Sequence, residues 1–458
     1  MATEHLSALD ATFLELEQAD RAAHMHIGAV LVFEPPAGGR IPTHQDVEAR
    51  LAERLDALPR YRERLSPPDV GGMRFPAWEP DPDFRLSAHM RRAALPAPGG
   101  ASELLEWAGD FYSHRVDRSR PLWELVLLEG LEGGRWALCT KTHHCLVDGV
   151  GSIDAGMILL DGADRMASAW RPPRHEDGSL LSAPVRALRA GADLLAHPTR
   201  TIGRSAALAD LVVRDEVIAA PRTSLNAPLG EHRRLATVGV SLDDLRVVKQ
   251  ALGGTVNDVV LAAVTAGLRA LLLDRGEPPP AGLRAMVPVN VRAAADRQGL
   301  GNRISSLFVR LPVEIDDPLE RYEAVRHEAS SLKGSGQAVG SSTLLDLAEH
   351  APPVLHSVIS RSLFATRLFN VTVTNVPGPQ VPMHAFGSRL RDAIPIVPLA
   401  ADHTIGVAVL SADGRVVFCL NCDRDAVPDA HVAATGIGTA LDELRAIAAA
   451  VAAATPAA

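Results

Sequence analysis

The chain has 458 residues, a formal net charge of -9 and a 47% hydrophobic composition. That length exceeds what a single core usually organises, so two domains are expected. The acidic balance (pI near 6.0) argues against a nucleic-acid partner, because phosphate binding wants a basic surface, and the four cysteines form no spaced disulfide framework.

Met1-Ala2-Thr3-Glu4-His5 lacks the basic-then-apolar profile of a signal peptide. No apolar run reaches the ~20 residues that span a bilayer. A cytoplasmic protein is therefore expected, with peripheral contact to a membrane or to lipid inclusions left open. Up to about Asp164, strand-like runs (27–32, 123–128, 136–142) alternate with helical ones (47–58, 102–111), the mixture of an α/β or α+β domain.

The run 136–142 ends in His143-His144, followed by Cys145-Leu146-Val147-Asp148-Gly149. Successive strand side chains point to opposite faces, so the two histidines cannot both face one cavity. Imidazole, with an ordinary pKa of about 6.5, takes and returns a proton near neutrality, as an alcohol attacking a thioester requires. Residues 149–160 read as a buried helix entered through a flexible turn, and Asp148 is placed to orient the loop or a ring. A buried, hydrogen-bonded histidine pair is the plain alternative. A metal site made from His143, His144 and Asp148 is disfavoured, since no second ligand cluster accompanies them. Cys145 reads as a small apolar filler.

Residues 171–179 form a polar, Pro-bearing linker. Residues 185–217, rich in Ala and Leu and dotted with Arg186, Arg189, Arg200, Arg204 and Arg214, read as a helical crossing. A domain connector is preferred there to a basic segment lying on an anionic bilayer. From about Leu235 a second mixed domain begins, with strands near 236–240, 284–291, 303–311, 369–374, 404–410 and 415–420, and Asp413-Gly414 marks a hairpin between the last two. Thr255-Val256-Asn257-Asp258 has the form of a helix cap ahead of an apolar helix to about Leu273. Asn375, ending the strand at 369–374 before Pro377-Gly378-Pro379, can be a turn former or a donor to a developing oxyanion. Cys419 and Cys422, three apart in a strand, fall on opposite faces and make a redox or zinc pair unlikely. Residues 430–453 read as a closing helix.

The string from His143 to Gly149 matches the HHxxxDG signature of acyl-CoA-dependent acyltransferases. Further blocks sharpen the likeness: Leu6 to Leu14, Met25 to Ala29, Pro121-Leu122-Trp123, Asn257-Asp258, Pro288 to Arg292, Leu300-Gly301-Asn302 and Asn375 to Pro379. In this order the set resembles the bacterial wax ester synthase/diacylglycerol acyltransferase family nearly end to end. The resemblance implies two chloramphenicol acetyltransferase-like α/β domains with mixed sheets, a helical linker, and a tunnel between the domains, with boundaries at 1–170, 171–232 and 233–458.

The resemblance also implies roles. His144 would be the general base that deprotonates the acceptor hydroxyl. His143 would sit behind it, and Asp148 and Gly149 would shape the turn, with Arg120 a guessed partner for Asp148. Asn257, Asp258, Asn302, Asn375, Pro121, Leu122 and Trp123 would bind substrate or shape the site. Asn257-Asp258 is read first as a cap, and Trp123 first as a core or channel-wall aromatic. The implied substrates are acyl-CoA with diacylglycerol or a long-chain alcohol, with no cofactor and no metal, and direct transfer because no Gly-x-Ser-x-Gly elbow is present. The alternatives are a condensation-type acyltransferase using a carrier-bound donor or polar acceptor, and a weakly active lipid-binding paralogue.

Overall fold

In the computed structural model the described residues are 4–36, 38–67, 75–146, 157–161, 220–290, 304–334 and 368–454. Strand β1 (Glu4–His5) leads into helix α1 (Ala8–Ala19), whose start is capped by the Ser7 side chain accepting the Asp10 N–H. There follow β2 (His26–Phe33), α2 (His44–Arg54), β3 (Glu63–Leu65), β4 (Ala77–Pro80), β5 (Met90–Ala94), α3 (Ala101–Ser113), β6 (Trp123–Leu131) and β7 (Arg135–His143). The helix expected over 47–58 stops earlier, at Arg54, and passes into a short 3₁₀ turn, Leu55–Ala57. Pro59 explains the stop, because its ring disfavours helical geometry at Leu58.

The second half holds β8 (Arg233–Ser241), α4 (Leu242–Leu252), α5 (Val256–Asp274), β9 (Arg284–Asn290), β10 (Ile304–Arg310), α6 (Pro318–Gly334), β11 (Val371–Pro377), β12 (His384–Ala385), β13 (Ser388–Ile396), β14 (Ile405–Ala412), β15 (Arg415–Asp423) and α7 (Ala430–Ala454). Two six-stranded mixed sheets result, in the orders β12-β13-β2-β7-β6-β5 and β10-β9-β11-β14-β15-β8, beside a small sheet β1-β4-β3. The expected hairpin is present: Asp413 and Gly414 both take positive φ, 45° and 75°, between β14 and β15.

The first sheet is not built from the first half alone. β13 pairs antiparallel with β2, Ile394 opposite Val30, and the Trp136 Nε1–H donates to Ser388 Oγ at 3.0 Å. A register shift between Leu390 and Asp392, and Pro395 near the strand end, break the period-two pattern that would have announced this strand. The two halves are thereby joined through the strand next to the one that ends in His143.

One face of the first sheet packs against α1 and α2 through Leu31, Phe33, Leu127, Trp136 and Leu138, and the other packs α3 and strands β8 and β15 through Val30, Ala137, Leu235 and Val417. Helix α5 is the centre of the second core. Its start carries a complete capping box: Thr255 Oγ1 accepts the Asp258 N–H and Asp258 Oδ2 accepts the Thr255 N–H at 2.7 Å. By length and composition α5 alone among the described helices could cross a membrane, but 72% of its apolar window is buried inside the protein. Burying one of its leucines, such as Leu268, stabilises by about 1.5–3 kcal/mol. A Cβ at Gly267 would meet the Ala433 carbonyl at 2.5 Å, so the glycine lets α5 and α7 approach closely. Cys419 packs in the core under α3 and Cys422 in that of α5, on opposite faces of β15.

Candidate active site

β7 brings the histidine pair to the edge of the first sheet. Its last residue, His143, lies opposite His26 of β2, and the His143 N–H donates to the Leu122 carbonyl at 2.9 Å. The chain then leaves the sheet. His144 opens a 3₁₀ turn, His144–Leu146, and its N–H donates to the Met25 carbonyl at 2.8 Å. The two imidazoles part at this point: His143 is fully buried, whereas His144 retains partial exposure.

His143 Nδ1 accepts the Cys145 N–H at 3.2 Å and lies 3.0 Å from Cys145 Sγ. That bond leaves the ring proton on Nε2, which faces Glu17 Oε2 at 3.3 Å. Glu17, fully buried on α1, also accepts the Met25 N–H at 3.1 Å, and His26 Nε2 lies 3.8 Å from the same oxygen. Burial pushes the Glu17 carboxyl up. The facing His143 and His26 rings and the Met25 amide outweigh it and hold the group at about 2, so it is ionised. Arg115 Nη2 donates to carbonyls at the end of α1, including those of Glu17 and Arg21, and its Nη1 is 3.9 Å from Glu17 Oε1. A cation at a helix C-terminus is favourable, and this one fastens the helix that carries Glu17.

The His144 ring lies flat on Phe13, centroids 3.8 Å apart and planes 19° apart. Its Nδ1 is buried and has no hydrogen-bond partner among the described residues. Burial lowers its pKa to about 4, so the ring is neutral at pH 7, the form a general base needs. Cys145 is buried and its thiol is pushed well up by burial, in keeping with a filler and not a nucleophile.

Pro121, Leu122 and Trp123 are all buried. The Trp123 Nε1–H donates to the Tyr61 carbonyl at 2.8 Å and its ring stacks on His89, so this block braces the strand end beside the histidines. Lys141, one of three lysines in the chain, is buried on β7 and gives its ammonium to the Phe111 and His114 carbonyls and to Glu124 at 3.1 Å.

Asn257 and Asn375 are brought together: Asn375 Nδ2 donates to Asn257 Oδ1 at 3.3 Å. Asn375 does not end its strand, as the sequence suggested. β11 continues through Pro377, with Asn375 opposite Val409, because pairing with β14 carries the backbone on. Asp258 serves the capping box. Asp148, Gly149 and Asn302 lie outside the described residues, as do 149–156 of the expected helix; Met157–Leu159 form a 3₁₀ turn. Arg120 pairs with Asp117 at 3.4 Å.

A cleft of about 390 Å³ lined by Arg135, Leu104, Arg391, Asp392, Arg415 and Val417 lies at the start of β7, the opposite end from the histidines, and neither histidine lines it. Among the described residues no group of three or more His, Cys, Asp or Glu is arranged to hold a metal ion. Glu17 and Phe13 were not singled out from sequence. The available signal was a carboxylate four residues after an aromatic on one face of α1.

The family model described as the wax ester synthase/diacylglycerol acyltransferase catalytic domain matches residues 6–260, and the WS/DGAT C-terminal domain matches 300–445. The chain belongs to the wax ester synthase/diacylglycerol acyltransferase family. This family member is 36% identical over 457 residues to a probable diacyglycerol O-acyltransferase of Mycobacterium tuberculosis strain H37Rv, covering 97% of this chain and 96% of the relative. A second such protein of that organism is 32% identical over 434 residues, 92% of this chain and 94% of the relative. Among solved structures, the wax ester synthase/diacylglycerol acyltransferase from Marinobacter aquaeolei VT8 superimposes with a TM-score of 0.67 at 28% identity, covering 97% of this chain and all of that one. The first condensation domain of the CDA synthetase gives a TM-score of 0.60 at 17% identity over 99% of this chain and 97% of that one, which establishes a shared fold alone.

Proposed function

We propose that this acyltransferase moves a fatty acyl group from acyl-CoA to the hydroxyl of diacylglycerol, with a long-chain alcohol as the related acceptor and His144 as general base. The observation that carries the mechanism is the partly exposed His144 ring just past the end of β7, whose Nδ1 is buried without a hydrogen-bond partner among the described residues. Burial lowers its pKa, which favours the neutral ring, and the reading takes Nε2 as the nitrogen that meets the hydroxyl. His144 takes the hydroxyl proton as the oxygen attacks the thioester carbonyl. The C–S bond then breaks, and the departing thiolate takes the proton back, giving ester and free CoA. No acyl-enzyme forms.

The substrates would meet between the halves 1–170 and 233–458, joined by the crossover 171–232. The acceptor is oil-like, so the reading includes peripheral contact of a cytoplasmic protein with a membrane or lipid inclusion.

The test is product analysis with one acyl-CoA and a panel of diacylglycerol, fatty alcohol and polar acceptors, beside a carrier-bound donor. His144→Ala should lose ~10²–10⁴-fold in turnover. Turnover within a few-fold of wild type removes His144 from the mechanism, and ester formation only with the carrier-bound donor or a polar acceptor overturns the substrate assignment.

A further inference from the structure

Among the described residues, one ring contact of His144 sets its plane. Its backbone is pinned through the Met25 carbonyl, but Nδ1 has no hydrogen-bond partner among the described residues, so no such bond there fixes its side-chain torsions. Phe13 supplies the constraint. It is half-buried, and it packs with Leu229 against the small cluster of Leu16, Ala23 and Met25 and not against the main core of the first sheet. Its own helix position is set by the Ser7 cap at one end and by Arg115 at the other. One turn later the same helix presents Glu17 to His143.

We propose that Phe13 is a positioning residue for acyl transfer, holding the plane of the His144 ring and keeping water from one of its faces. This rests on the reading of His144 as the base. A neutral imidazole on a benzene face is held by dispersion and by shape, without a hydrogen bond. A leucine there keeps apolar volume but offers no flat surface, so the ring gains rotamers and hydration.

Two consequences separate this role from simple packing. Turnover falls by about 10- to 100-fold, because a base displaced by about an ångström loses its alignment with the hydroxyl. Renewed hydration of the ring also relaxes the burial that holds it near 4, moving its titration toward 6.5. The base works in its neutral form, so the acid limb of the kcat/KM profile moves upward in pH. Among the described residues, the charged and titratable groups that could contribute are His143 at the end of β7, Cys145 on the turn, Asp10 and Glu17 on α1, His24 and His26 at β2, and Arg115 and Arg118 after α3. All are unchanged in the variants.

The experiment uses the full chain with Phe13→Leu and Phe13→Trp, and with His144→Ala to assign the ring signal. Imidazole titration is followed by NMR, and pH–rate profiles are measured with acyl-CoA and diacylglycerol at matched thermal stability. The expected result is that Phe13→Leu raises both the His144 titration and the acid limb by about one unit or more, and that Phe13→Trp, which keeps a flat face, restores wild-type behaviour. An unchanged titration and turnover in Phe13→Leu overturns the proposal. A shifted titration together with a His144→Ala protein that still turns over overturns the base assignment and leaves Phe13 a packing residue.

Discussion

Glu17 Oε2 lies 3.3 Å from His143 Nε2, with both side chains fully buried. The contact ties α1 to the strand end, and His143 passes it on to the turn under His144 through the Cys145 N–H. Because the carboxyl is held down at about 2 from an ordinary 4.5, its contribution is present above about pH 4.5 and is lost as pH falls through about 2. Glu17→Gln should therefore lose on the order of 3 kcal/mol at pH 7 in denaturant unfolding. The gap to wild type should shrink below pH 4.5, and an equal gap at all pH values would contradict the account of Glu17 as an ionised carboxylate stabilised by its neighbours.

Histidine burial predicts a second, higher window. Burial first, then the Arg233 and Arg115 charges, lower His24 to about 4, and burial lowers His144 likewise. The unfolded chain binds these protons near 6.5, so stability is full above that pH and falls as pH drops toward 4. Urea midpoints measured from pH 7 to 4 should decline less steeply for His24→Gln than for wild type. Parallel curves would remove His24 from the acid response.

Arg233 joins the two halves. Its guanidinium is buried and donates to the Ala22 carbonyl from the first half and to those of Gly230 and His232, while its backbone N–H donates to Ser113 Oγ at 2.7 Å. Arg233→Met keeps the volume but strands those carbonyls. A loss of about 2–4 kcal/mol is expected, read as a lower melting temperature. A variant melting with the wild type would show that solvent satisfies these groups.

Asp258 closes the cap of α5, and asparagine retains an oxygen able to accept the Thr255 N–H. Asp258→Asn should keep turnover within a few-fold, whereas Thr255→Ala should cost about 1 kcal/mol of stability. A hundredfold fall in turnover with unaltered stability in Asp258→Asn would make the carboxylate a substrate contact instead.

The elements read best from sequence are those whose signal is local. The strands read at 123–128 and 136–142, found at 123–131 and 135–143, the capped helix from Thr255, the Asp413-Gly414 hairpin and the opposite faces of Cys419 and Cys422 follow from periodicity and turn chemistry within a few residues. The sequence expected His143 and His144 to face apart by strand alternation; in the structure they part because β7 ends at His143 and His144 opens a 3₁₀ turn. β13 escaped because a register shift and Pro395 interrupt its alternation, and its place beside β2 depends on residues more than three hundred positions away.

What the chain alone determined is therefore the kind of group at the strand end, its family, and the local elements around it, because each is written in contiguous residues. Only the tertiary structure decided which histidine is sealed, that Glu17 ionises against it, that Phe13 lies on the other ring, and that Asn375 meets Asn257. Those relations arise from burial and from side chains converging across elements, and the energy of a charge or a stacked ring depends on surroundings that no short stretch of sequence encodes.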